Sequence, residues 1–170
     1  MSASKTNTDV FTRFVRRPAL PVPDTNDWDD SLTAAVEAAV SNIDESELCV
    51  PERHRFSTVD SKRLLALLSW SYARELYSSA EIHSRLRRGR TAELWENGIP
   101  DVEDICRFRS QNRRALQSCL QTALHFLAAQ KVADGFMTRI NESHVAAEAS
   151  RRIIAAVFID SVEASALSVL

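Results

Sequence analysis

At 170 residues, with 45% apolar and 26% charged residues, the chain is sized for one domain with a real core and too short for two of ordinary size. The net charge of −2 conceals a segregation: four basic against one acidic residue over 1–23, none against nine over 24–52, thirteen against eight over 53–114, and four against five over 115–170. No apolar run approaches the roughly 20 residues a membrane span needs, and the amino terminus MSASKTNTD lacks the apolar stretch of a secretory signal, so a cytoplasmic protein with no membrane partner is expected.

Residues 1–28 read as an extended arm, because Pro18, Pro21 and Pro23 forbid a continuing helix; Phe11, Phe14 and Val15, beside Arg13, Arg16 and Arg17, could dock on the core or carry the arm to a phosphate backbone. The whole chain has three glycines, and from residue 59 onward a single proline, Pro100, in a stretch rich in Ala, Leu, Arg, Glu and Ser, a composition that favours helix. Asp27 to Asp30 and Ser31 make a helix start, and Leu32, Val36, Ala39, Val40 and Ile43 recur at helical spacing, so a helix is expected to end before Pro51. A second helix opens at Ser57 to Asp60. Leu64, Leu65, Leu67, Leu68, Trp70, Tyr72 and Leu76 cover nearly its whole circumference, which predicts the central buried element.

Ser78 and Glu81 stand at capping-box spacing before a short helix stopped by Gly89, with Arg85, Arg87 and Arg88 at its carboxyl end, where the dipole favours cations. Thr91 to Asn97 reads as a helical turn ended by Gly98 and Pro100. Asp101 caps the next helix, whose apolar stripe is Val102, Ile105 and Phe108; Arg107, Arg109, Arg113 and Arg114 fall off that stripe and are expected on one solvent-facing surface. Leu116, Leu120, Leu124 and Leu127 mark a long helix. After Gly135 a last helix, over about 143–166, is expected to place Val145, Ala149, Ile153, Ala156, Val157 and Val162 on one side, either closing the core or pairing with a second copy. No segment reads as a strand. The expectation is an all-α domain of six to seven helices: an arm over 1–28, a helical domain over 29–135 with a helix-turn-helix-like basic region, and a carboxyl-terminal helix over 136–170.

The segments Arg63-Leu-Leu-Ala-Leu-Leu to Tyr72-Ala-Arg, Tyr77-Ser-Ser-Ala-Glu-Ile, Pro100-Asp101 and Ile105-Cys-Arg107-Phe108-Arg109, in that order, resemble the N-terminal domain of InsH-like DDE transposases of bacterial insertion sequences. The likeness covers about residues 30–132. In that family the domain precedes a ribonuclease-H-like domain with three metal-binding carboxylates, where this chain has the helix SHVAAEASRRIIAAVFIDSVEASAL; Asp160 and Glu163 lie there at i,i+3 with no third partner. The resemblance therefore implies the DNA-binding half of a transposase without the cutting half.

The charge pattern has two readings. Between Tyr77 and Arg114 stand eight arginines, Arg85, Arg87, Arg88, Arg90, Arg107, Arg109, Arg113 and Arg114. Such a cluster is the electrostatic footprint of a contact with double-stranded DNA, through phosphates and, in a transposase-like chain, at inverted-repeat sites. It is also what a solvated face laced with helix salt bridges looks like, Glu103 to Arg107 being one such pair. An interaction module that has lost DNA, able to form a homodimer, is the competing reading. An enzyme is not expected: His54, His83, His125 and His144 are scattered, no nucleophile–base pair or Gly-rich phosphate loop occurs, and no small-molecule substrate is implied. Cys106, Cys119 and His125 lack a fourth ligand, so neither a metal nor a cofactor is expected.

Overall fold

A computed structural model describes residues 30–49, 58–88, 95 and 98–167. The described residues form six α-helices and no strand: α1 (Asp30–Ser41), α2 (Thr58–Ala73), α3 (Ser79–Arg88), α4 (Val102–Gln111), α5 (Arg113–Ala133) and α6 (Glu142–Leu167), with a 3-10 turn at Glu45–Glu47. The arm over 1–28, Gly89, Arg90 and, within the expected helical turn, residues 91–94, 96 and 97 lie outside the described residues.

α2 is the hub, as its all-round apolar sequence demands: Leu64, Leu65, Leu67, Leu68 and Tyr72 are all fully buried. α5 lies along it and also meets α1 and α6, burying Leu116, Cys119, Leu120 and Ala123. α1 contributes Leu32, Val36, Ala39 and Val40 to the same core. It stops at Ser41, well before Pro51, because the Asp44 carboxylate accepts from both the Ser46 amide and the Ser46 hydroxyl at 2.9 Å. That local turn competes with helix continuation and starts the 3-10 turn instead.

The corner between α2 and α3 fixes how both helices present their ends to α6. The Leu76 amide donates to the Ser71 carbonyl (2.9 Å) and the Glu75 amide to the Tyr72 carbonyl (3.2 Å), while Glu75 takes φ 63°. This is a Schellman closure with glutamate at the left-handed position usually given to glycine. Ser78 then caps α3 by accepting from the Glu81 amide at 3.1 Å. The reciprocal half of the expected capping box is replaced, since Glu81 turns instead to Arg85, whose Nε donates to it at 3.0 Å. At α4 the box is complete: Asp101 accepts from the Asp104 amide at 2.8 Å and Asp104 from the Asp101 amide at 3.1 Å.

α4 passes into α5 through Asn112 alone. Its buried side-chain amide accepts from the Cys49 amide (2.7 Å) and donates to the Cys49 carbonyl (3.1 Å), pinning the exit of α1 to the kink. α3 and α4 lie side by side in opposite directions: Ser79, at the start of α3, meets Arg109 near the end of α4, and His83 bonds Pro100 just before α4 begins. Residues 89–101 separate them, far more than the three- or four-residue turn of a tight helix-turn-helix.

α6 closes the core with Val145, Ala149, Ile153 and Ala156. The expectation that Val157 and Val162 share that side does not hold; each is 51% exposed. The inward row runs 145, 149, 153, 156 and, at the same three-to-four spacing, continues to Asp160 and Glu163, so the two valines are rotated outward.

Candidate nucleic-acid interface

The arginines of the basic segment divide by environment. Arg109 is 4% exposed and points into the protein. Its guanidinium pairs with the Asp160 carboxylate at 2.7 Å and donates to the Tyr72 hydroxyl at 3.0 Å and the Ser79 hydroxyl at 3.3 Å. The expectation that Arg109 shares a solvent-facing surface with Arg107, Arg113 and Arg114 is therefore corrected. It lies one position along from Phe108 on α4, and the polar stripe there meets α3 and α6 rather than water. Arg85 is paired with Glu81 and Arg107 with Glu103, both at i,i+4 on their own helices. Those two carboxylates cancel much of the field their arginines would project.

Arg87, Arg88, Arg113 and Arg114 are exposed. The Arg88 Nε donates to the Ser84 carbonyl at 3.3 Å. Arg87, Arg113 and Arg114 make no ion pair among the described residues. Because α3 and α4 run antiparallel, Arg87 and Arg88 sit toward the start of α4 and Arg113 and Arg114 beyond its end. α4 has 10 residues, so the two groups bracket a helix roughly 15 Å long. Arg113 and Arg114 also occupy the first turn of α5.

Beside this surface lies an internal polar cluster that the sequence did not disclose. Asp160 accepts from the Ser79 amide (2.8 Å) and hydroxyl (2.6 Å), from the Cys106 thiol (3.3 Å) and from Arg109; Glu163 accepts from the Ser78 hydroxyl at 2.9 Å. Together the two carboxylates hold the amino terminus of α3. Burial works to raise the Asp160 pKa, but the Ser79 bonds and Arg109 outweigh it and hold it below the usual carboxylate value. Burial pushes the Tyr72 hydroxyl up to about 12 and also raises the Cys106 thiol, so both stay protonated at neutral pH. A protonated, part-buried thiol is a weak nucleophile.

Eight residues earlier on α6, Arg152 donates to the Tyr72 and Ala73 carbonyls at 2.8 and 2.9 Å, to Glu75 at 3.1 Å and to Glu148 at 2.7 Å. One helix thus presents a cation to the carboxyl end of α2 and a carboxylate to the amino end of α3, the favourable sign at both. The only sequence signal for this was the unbroken spacing from Val145 to Glu163. Between α5 and α6 opens a groove of about 500 Å³, lined by Leu124, Leu127, Ile140, Lys131, Glu148 and Arg151 among others. No group of three or more metal-binding side chains occurs among the described residues, and Cys106, Cys119 and His125 do not form one. No helix among them is long and apolar enough to cross a membrane. Comparison with protein families, with curated proteins and with solved structures returns no match to this chain.

Proposed function

We propose that the chain is a non-catalytic DNA-contacting module that grips the phosphate backbone through Arg87, Arg88, Arg113 and Arg114, with Arg85, Arg107 and Arg90 as accessory cations. The observation that carries this reading is the placement of Arg113 and Arg114. They are exposed and without a carboxylate partner among the described residues, so their charge is left for an external polyanion to neutralise. The resemblance to the transposase N-terminal domain points the same way. Arg109 is removed from the contact set, because its charge is spent internally on Asp160.

The test is fluorescence anisotropy with random duplex DNA across a salt series. Four phosphate contacts predict a slope of about −3 to −4 in log K against log salt. Replacing Arg113 and Arg114 together with alanine should make that slope shallower by about 2, with the melting temperature held. No binding at about 50 mM salt, where phosphate contacts are strong, would overturn the DNA reading. The second reading, a helical interaction module, would then stand on the outward apolar row of α6, where Ile154, Val157, Phe158 and Val162 are all more than half exposed.

A further inference from the structure

The exposed arginines of the phosphate grip stand apart in two pairs. Arg87 and Arg88 lie toward the start of α4 and Arg113 and Arg114 beyond its end, so the 10-residue helix separates them by roughly 15 Å. The major groove of B-form DNA is about 12 Å wide. A bracket of that span reaches phosphates of both strands and leaves the outer side of α4 over the base edges between them.

That outer side is the one turned away from the buried Ile105, Phe108 and Arg109. It carries Glu103, Arg107, Ser110 and Gln111. The first three are spent on one another. Arg107 pairs with Glu103, and the Ser110 hydroxyl donates to the Arg107 carbonyl at 2.8 Å. The Gln111 side chain is exposed and takes no partner among the described residues. Its backbone, in contrast, is fixed by its neighbour. Asn112 is buried, accepts from the Cys49 amide at 2.7 Å, donates its side-chain amide to the Cys49 and Phe108 carbonyls at 3.1 and 3.2 Å, and closes α4 with its own amide on Phe108 at 2.9 Å. A free polar side chain on a locked frame, one turn from two unpaired cations, is the arrangement that precise recognition requires.

The chemistry of that side chain selects its target. A carboxamide carries no charge for phosphate, and offers one donor and one acceptor side by side. Adenine in the major groove presents the matching edge, an N6 donor beside an N7 acceptor. Guanine shows two acceptors there, and A·T pairs show acceptors alone in the minor groove. We infer that Gln111 reads an adenine in the major groove, so that the chain prefers duplexes with adenine at one fixed place between the phosphates it grips. The inference rests on the DNA-contact reading, and adds to it a sequence preference that phosphate-bound arginines do not supply.

Selection by the full chain from a duplex library randomised at its centre tests it. Wild type is expected to enrich a site with one fixed adenine. Gln111→Ala should keep the helical circular dichroism, the salt slope and the affinity for random duplex. It should lose enrichment at that one position and bind the selected site about 5- to 150-fold more weakly, the value of one bidentate base contact. Replacing Arg113 and Arg114 together with alanine should instead weaken selected and random duplex alike, as loss of phosphate contacts does. A wild type that binds random duplex yet enriches no sequence, or a Gln111→Ala variant that still selects the same adenine, overturns the inference and leaves the phosphate grip standing. No binding of any duplex at about 50 mM salt, where phosphate contacts are strong, overturns both.

Discussion

Arg109 and Asp160 form the pair at the centre of the polar cluster between α3, α4 and α6. Arg109 serves Tyr72, Ser79 and Asp160, and Asp160 serves the α3 amino terminus, Cys106 and Arg109. Removing either partner strands the other in a site where the two side chains are 5% and 11% exposed. Arg109→Ala is therefore expected to cost about 3–5 kcal/mol in urea unfolding. The double variant with Asp160→Ala should cost clearly less than the sum of the two singles, as coupled neighbours do. The pair also sets an acid limit. The Asp160 pKa is lower in the folded chain than its ordinary value. Its contribution is thus complete above about pH 4, the unfolded carboxylate value, and is lost as pH falls through the lower folded value. Asp160→Asn should be less stable than wild type at neutral pH, with the gap closing in acid; a gap constant down to low pH would show that the ionised form is not what stabilises. Sequence reading places Arg109 in water because it counts positions on one helix. Nothing in α4 alone announces that α3 and α6 arrive with a hydroxyl and a carboxylate.

The helices themselves are legible where a single physical signal dominates. α2 is marked by its all-round apolar sequence, α4 by the Asp101 cap, and α5 by its leucine ladder. Each signal acts within one or two turns and needs no tertiary partner. Apolar spacing alone overextends α1, because the Asp44 turn competes with the helix over a span where that spacing still continues through Ile43. The same spacing rotates α6 by about 100°, the angle between Ala156 and Val157, because valines suggest an interior more strongly than aspartate does. Closing the core is one of the two roles expected for this helix, and the buried row of Val145, Ala149, Ile153 and Ala156 does so. Deletion of residues 143–170 would uncover that row's partners on α2 and α5 together with the unfilled ends of α2 and α3. The truncated protein should aggregate or lose its cooperative melt; a folded, monomeric product by light scattering would make α6 an appendage instead.

Taken as a whole, the molecule joins a corner closed by local bonds to a last helix that reaches it from far along the chain. The corner of α2 and α3 closes through bonds three or five residues apart, and α4 and α5 share Asn112. By contrast the bonds from α6 to that corner join residues 77 to 85 positions apart, Arg152 to Glu75 at one end and Glu163 to Ser78 at the other. Contacts of such separation must first meet the entropy of closing a long loop, so they should form after the rate-limiting barrier. Weakening them should leave refolding nearly unchanged and accelerate unfolding, which is the behaviour of positions with φ-values near zero. In a chevron experiment Asp160→Asn should raise the unfolding limb and barely move the folding limb; a slowed folding limb would put α6 in the nucleus. The clamp that Arg152 and Asp160 make around one corner is then, in kinetic terms, a bolt drawn after the door has closed. It governs how long the native state lasts, not how fast it is reached.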